Sequence, residues 1–196
     1  MIEFCIVSTA AGGSSNGFRR KHMIETERLK MRQLTRDDLP WLIEMRTRPE
    51  VSKYLGGAKL QNPESISNRL DFYLACYEKF GFGSCAMLWK ETGEPIGFSG
   101  LQPLEDTGEI EVGYSLQPEF WRMGIGYECA LGWLTYGFET AGLERIVAIA
   151  IKENVGSWRI MEKCGMHYEG DQEHYGLPVV YYAIERSEFD KLHSAG

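Results

Sequence analysis

Apolar and polar positions change their period several times along the chain, and each change marks an element. Leu29 to Leu34 alternates, as a half-buried strand does. Thr35-Arg36-Asp37-Asp38 is a helix-start signal, followed by Leu39, Leu42, Ile43 and Arg46 at helical spacing up to Pro49. Gly56-Gly57 predicts a loop. Asn62-Pro63-Glu64 opens a second helix, with Ile66, Leu70, Tyr73 and Leu74 on one face and an end near Gly81. Strand patterns then run from Ser84 to Lys90, Pro95 to Leu104 and Glu109 to Leu116, separated by turns at Glu91–Glu94 and Asp106–Gly108. In the last strand Ile110, Val112, Tyr114 and Leu116 share one face; Glu109, Glu111, Gly113 and Ser115 share the other.

The second half completes the pattern. A helix from Gly124 to Thr140 buries Ala130, Trp133, Leu134, Gly137, Phe138 and Ala141, and Gly142 stops it. Arg145 to Ile151 is a β-branched and alanine run, which predicts a central strand covered on both faces. Asn154 is placed to cap a short helix, Val155 to Lys163, closed by Gly165. His167 to Gln172 and Leu177 to Ile184 read as a final hairpin. The sum is an α/β (α+β) fold: a mixed, mostly antiparallel sheet of about seven strands, about four helices and one βαβ crossover.

With 196 residues, 43% of them hydrophobic, the chain suits one domain with a sizeable core. The formal net charge is −7 and the densest basic stretch is Arg19-Arg20-Lys21, so a nucleic-acid groove is not expected. An acidic surface favours cationic partners such as amines. Five cysteines without Cys-x-x-Cys spacing read as small buried hydrophobes of a reducing, cytoplasmic protein. The four histidines form no i, i+4 pair with a carboxylate partner, so no metal is expected. No apolar run approaches the roughly 20 residues that cross a bilayer, so no membrane partner is expected. In residues 1–22 the apolar stretch precedes the positive charges, the reverse of a signal peptide, and Gly12 to Gly17 is linker-like. Residues 1–22 are therefore expected to be a flexible extension, and 23–190 the domain. Monomer and homodimer both stay open.

The candidate chemistry starts at Trp121-Arg122-Met123-Gly124-Ile125-Gly126-Tyr127, between a strand and a helix. Free N–H groups of a first helical turn hold phosphate, and the helix dipole adds positive potential. Gly124 and Gly126 lack Cβ atoms, which lets a pyrophosphate approach the backbone. A dinucleotide fingerprint would place a third glycine where Cys129 stands, and it would follow βαβ units rather than hairpins. That argues against a nicotinamide or flavin enzyme.

Several motifs occur in order: Ile24 to Leu29, Pro118 to Tyr127, Leu143 to Asn154 with Ser157, and Glu162-Lys163-x-Gly165-Met166 with Glu169-Gly170. Together they resemble the GNAT superfamily of N-acetyltransferases, most closely the branch of the ribosomal-protein N-terminal acetyltransferases, over Met23 to Phe189. The resemblance implies a GNAT fold and acetyl-CoA as co-substrate. It implies that the backbone of Tyr114, Ser115 and Leu116 pairs with the pantetheine arm. The N–H groups of Arg122, Met123, Gly124, Ile125, Gly126 and Tyr127 would hold the pyrophosphate, with the Arg122 side chain adding charge. Asn154 would fix the pantetheine and Ser157 would approach the sulfur. The chain departs from the pattern at Trp121, where the superfamily usually has Gln or Arg, and at Met161, where a tyrosine often serves as general acid.

An amine acceptor, a protein N-terminus, small amine or amino-acid derivative, must lose its ammonium proton before it attacks a thioester. A lysine-type amine has a pKa of about 10.4 and an α-amine about 7.7–8.0. Glu111 beside the thioester channel is the candidate relay through water, and Glu109 is two residues away. The N–H of Tyr114 or Leu116 is the candidate oxyanion donor, and Ser157 the candidate donor to the departing thiolate. Each has a plainer reading: Glu111 facing solvent or pairing with a cation, Asn154 as a helix cap, Ser157 as a first-turn residue. Tyr54, near Gly56-Gly57, is the candidate for the acceptor wall. No cysteine suits a covalent acetyl intermediate, so direct transfer in a ternary complex is expected. A non-catalytic acyl-CoA-binding module and a nucleotide-binding oxidoreductase remain as rivals.

Overall fold

The structure is a computed structural model that describes residues 22–105 and 107–193; the rest of the expected extension and Asp106 lie outside the described residues. In chain order the elements are β1 (His22–Glu25), β2 (Leu29–Gln33), α1 (Leu39–Thr47), α2 (Pro49–Ser52), α3 (Pro63–Phe80), β3 (Ser84–Trp89), β4 (Pro95–Pro103), β5 (Ile110–Leu116), α4 (Ile125–Thr135), β6 (Arg145–Ala150), α5 (Val155–Lys163), β7 (His167–His174), β8 (Leu177–Glu185) and α6 (Arg186–His193). One eight-stranded sheet runs β1-β2-β3-β4-β5-β6-β8-β7. Every neighbouring pair is antiparallel except β5 with β6, which α4 connects as the crossover.

Three elements exceed the sequence expectation, each for a physical reason. β1 is a four-residue edge strand beginning at His22, the last residue of the expected extension. α2 restarts immediately after Arg48, where Pro49 ends the helical pattern of α1 but serves as a first-turn proline for the next turn. α6 buries only Phe189, so it has almost no apolar stripe to read. Helix α4 also ends at Thr135, and Tyr136–Thr140 continue as a π turn.

The inner strands of the sheet are buried on both faces. On β3, Cys85 and Met87 join the core cluster around α4, while Ala86 joins the cluster with Leu42 of α1 and Leu70 of α3. That is the period-two alternation of a strand between two helical layers. Helix α4 is apolar nearly all round, and Trp133 at its centre is fully buried, its indole N–H donating to Ser99 Oγ at 2.9 Å. Asp38 caps the turn before α1, accepting from Thr35 N at 2.8 Å and pairing with buried Arg32 at 2.7 Å. The four described cysteines are buried and free.

The segment between β1 and β2 is tied to the start of α4. Glu128 accepts from Thr26 Oγ1 (2.5 Å), Arg28 N (2.7 Å) and Arg28 Nε (2.7 Å), and Arg28 Nη1 donates to Met123 O (2.9 Å). These bonds outweigh desolvation and hold the Glu128 carboxyl below the usual carboxylate range. Glu128→Ala is expected to lower the unfolding free energy by about 1–3 kcal/mol. Glu119→Ala, which breaks an exposed pair with Arg48, should cost clearly less. Urea titration of both variants checks this; equal losses would contradict a specific role for Glu128.

Candidate active site

β5 and β6 are paired at a single rung, Glu111 with Val147, and part beyond it. Each keeps its other edge in register: β5 with β4 from Gly97↔Leu116 to Pro103↔Ile110, β6 with β8 from Arg145↔Glu185 to Ala150↔Val180. A cavity of about 470 Å³ occupies the fork, lined by Val112, Gly113 and Tyr114 on one side and Ile149, Ala150 and Ile151 on the other. A Cβ on Gly97 would strike the Ser115 carbonyl, so Ser115 directs its backbone at β4. By alternation Tyr114 and Leu116 present theirs to the fork. The sequence reading gave all three backbones to a bound arm; the register reserves that place for two. Trp121 Nε1 already donates to Leu116 O at 2.9 Å.

Glu111 stands at the closed end of the fork, 6% exposed. That excludes the solvent-facing reading, and no cation lies within ion-pairing distance of it among the described residues. Gln102 Nε2 donates to its Oε1. Burial pushes its pKa up to about 7, against the Gln102 hydrogen bond and the charges of Arg69 and His174. Glu109 is elsewhere: it accepts from Tyr181 Oη at 2.6 Å and pairs with Arg145 at 3.5 Å.

Tyr114, Asn154, Ser157 and Met161 line the same cavity. Asn154 occupies the cap position of α5, but its side chain makes no cap hydrogen bond, so the plain N-cap reading fails. The Tyr114 hydroxyl crosses from β5 to α5. It donates to Ser157 O at 3.0 Å and accepts from Ser157 Oγ at 3.3 Å. Sequence reasoning used Tyr114 only for its backbone; the strand alternation had put its side chain on the apolar face with Val112. Met161, buried at 2% exposure, supplies no proton at its position.

The glycine turn lies outside the cavity lining, at the N-terminus of α4. Arg122 (φ 62°) and Gly124 (φ 78°) are both left-handed, and Arg122, Met123 and Gly124 are exposed. Among the described residues, no backbone N–H from Arg122 to Tyr127 donates to a protein acceptor; the first helical bond is Glu128 N to Gly124 O. Such a run of free donors at a helix start is the arrangement that suits an anion. Gly126 has a different reason for lacking a Cβ: one there would lie 2.7 Å from Ile160 Cδ1 of α5. It is buried by helix packing, whereas Gly124 is the open position, with only Arg28 Nη2 3.5 Å from an added Cβ.

The other end of the cavity is built by α1, α3, the Gly56-Gly57 turn and the tip of the β7–β8 hairpin. Tyr54 and Tyr73 line it, as do Arg46 and Arg69, which the sequence reading passed over. Trp41, Phe72 and Tyr77 instead pack against the core clusters. Glu105 fixes the hairpin tip: it bonds His174 Nδ1 at 2.9 Å and accepts from Tyr175 N at 2.7 Å.

Known proteins share this fold. Residues 28–167 match the family model described as an acetyltransferase (GNAT) domain. The uncharacterized N-acetyltransferase YoaA of Bacillus subtilis (strain 168) is 30% identical over 154 residues, 78% of this chain and 87% of that protein. An acetyltransferase from Agrobacterium tumefaciens str. C58 superposes with a TM-score of 0.75 at 26% identity, over 89% of this chain and 99% of its own. An aminoglycoside acetyltransferase in complex with coenzyme A shares the fold at TM-score 0.68 and 19% identity, over 83% of this chain and 98% of its own.

The Glu111 carboxyl is expected to titrate near pH 7 in carbon-detected NMR. Gln102→Leu removes a hydrogen bond to the charged form and should raise that midpoint further. Because the folded pKa lies above the unfolded one, ionisation costs stability, and the cost grows as pH rises from about 4.5 to about 7. A midpoint in the ordinary carboxylate range would contradict the buried site.

Proposed function

The chain belongs to the GNAT acetyltransferase family, and we propose that it transfers the acetyl group of acetyl-CoA to a primary amine by direct attack in a ternary complex. Acyl transfer and the use of an acyl-CoA follow from the family. The observation that carries the finer reading is the fork, which brings a buried carboxylate, the unpaired edge of β5 at Tyr114 and the Tyr114–Ser157 hydroxyl pair into one cleft.

The amides of Arg122 to Tyr127 would hold the pyrophosphate, helped by the α4 dipole. Tyr114 and Leu116 would receive the pantetheine arm as an added strand, and the free Asn154 side chain is placed to bond it. A carboxyl with a pKa near 7 is half ionised at neutral pH, so Glu111 suits the role of base, accepting the ammonium proton directly or through one water. The Tyr114 or Leu116 N–H is the donor for the oxyanion. The departing thiolate, whose thiol pKa is about 8.5, would leave as the anion with a hydrogen bond from the Ser157 hydroxyl, and the proton that Glu111 collects would return to solvent or to the thiolate through water. The four described thiols are buried, and burial raises each of them; none lines the cleft, which favours direct transfer over an acetyl-cysteine. Buried free thiols also fit a reducing, cytoplasmic setting.

Turnover measured as thiol release against an amine panel tests the reading. The rate should climb as pH rises through about 7, where Glu111 becomes the free base. Glu111→Gln should remove that limb and lower kcat about 100-fold at pH 7 with the coenzyme A Kd unchanged; superimposable pH profiles would exclude Glu111 as base. At the turn, Gly124→Glu should abolish coenzyme A binding, while Gly124→Asn, which tolerates the left-handed backbone, should retain most of it. Binding of coenzyme A without turnover of any amine would leave the binding-module alternative.

A further inference from the structure

The acceptor end of the cleft holds two guanidinium groups and, among the described residues, no carboxylate partner for either. Arg46 is 7% exposed. Its Nε donates to Gln61 Oε1 at 2.9 Å, its Nη1 to Tyr73 Oη at 3.4 Å, and its plane lies over Phe98, 4.9 Å from the ring centroid. Arg69 sits between aromatic rings, 5.5 Å from the centroid of Phe72 and 5.1 Å from that of Tyr175. Among the described residues no carboxylate lies within 4.0 Å of either. A guanidinium cannot shed its proton, so a sheltered one without a counter-ion is costly.

An independent observation points the same way. The Tyr175 hydroxyl is shielded from solvent, lies within hydrogen-bonding reach of the Arg69 guanidinium and has no other partner. Tyr175 also carries a positive φ of 54°, and Glu105 clamps its amide, so the hairpin tip is held in a strained conformation that directs this ring against Arg69. The charged groups around Arg69 are accounted for. Glu105 is engaged with His174 and Tyr175 N, and Glu111 is engaged with Gln102. The cleft therefore has a surplus of positive charge inside a chain whose net charge is −7.

We infer that the acceptor is a small amine bearing an oxyanion, a carboxylate or phosphonate, which Arg46 and Arg69 hold in the cleft that contains Glu111, with the Tyr175 hydroxyl positioning Arg69. This rests on the transferase reading and adds the substrate class. Planar guanidinium groups bind such oxyanions through paired charge-assisted hydrogen bonds. The opposite preference, for polycationic amines, is disfavoured by repulsion from the two arginines. The coenzyme's phosphates do not compete for this place, because the α4 turn that would hold them is outside the cavity lining.

The test compares amino acids, their carboxamides and aminoalkylphosphonates as acceptors with the full chain, by thiol release. The N-acetylated products are titrated calorimetrically in the presence of coenzyme A. The anionic acceptors should exceed the carboxamides in kcat/KM by about 10- to 100-fold, and the anionic products should bind tighter by a similar factor. Whether carboxylates or phosphonates lead identifies the oxyanion. Arg69→Gln and the isosteric Tyr175→Phe should shrink that preference to within about threefold while coenzyme A affinity is kept. Equal rates for acid and amide in the wild type, or a preference that survives both substitutions, would overturn the inference and leave the transferase intact. No thiol release with any amine would refute the transferase reading instead, and calorimetry would still decide whether the anion site exists.

Discussion

One rung of parallel pairing, Glu111 with Val147, is what the rest of the site depends on. Below it β5 and β6 belong to one continuous sheet; above it each strand is held by a different neighbour and the two part. In most sheets an opened edge would be filled by the next strand. Here the gap is kept open by elements that brace it from outside: Trp121 on the Leu116 carbonyl and the Tyr114 hydroxyl on α5. The parting creates the cavity, leaves backbone donors and acceptors without partners, and buries Glu111 at its closed end. Burial, in turn, moves a carboxyl that would be inert at neutral pH into the range where it can take and release a proton.

Charge is distributed against the bulk composition. The acidic surface, read alone, points to a cationic acceptor. Inside the cleft the balance reverses, because α1 and α3 bring Arg46 and Arg69 to the side opposite the sheet and aromatic rings stand where carboxylates would. A third arginine, Arg28, lies beside the glycine turn, but Glu128 neutralises it and its guanidinium also ties the turn's carbonyl. Arginine is thus used differently at the turn and in the cleft: Arg28 is paired with a carboxylate, while Arg46 and Arg69 are not.

Much of this was legible in the sequence where local chemistry decides. The strand alternation of Ile110 to Leu116, the glycine punctuation around α4 and the β-branched run of β6 each follow from short-range periodicity. What was not legible depends on pairs distant in the chain. Glu111 shares a face with Ser115 in either of its readings; only the packing of α3 and the β7–β8 hairpin determines that this face is closed to water. Gly126 looks like a phosphate glycine until Ile160, on another helix, takes its Cβ space. Arg46 reads as one more helical position, and Arg69 as a polar residue on an amphipathic helix. The short α2 and the sparsely apolar α6 lack enough periodic residues to register at all.

The central claim is that the open strand edge and the free α4 amides together form one acyl-CoA cradle. Backbone amide hydrogen exchange with and without coenzyme A tests it most directly. On saturation, exchange should slow at Arg122 to Tyr127 and at Tyr114 and Leu116, while Ser115, bonded to β4, stays unchanged; a nicotinamide dinucleotide should produce none of this. Protection confined to other segments, or equal protection by the dinucleotide, would contradict the account.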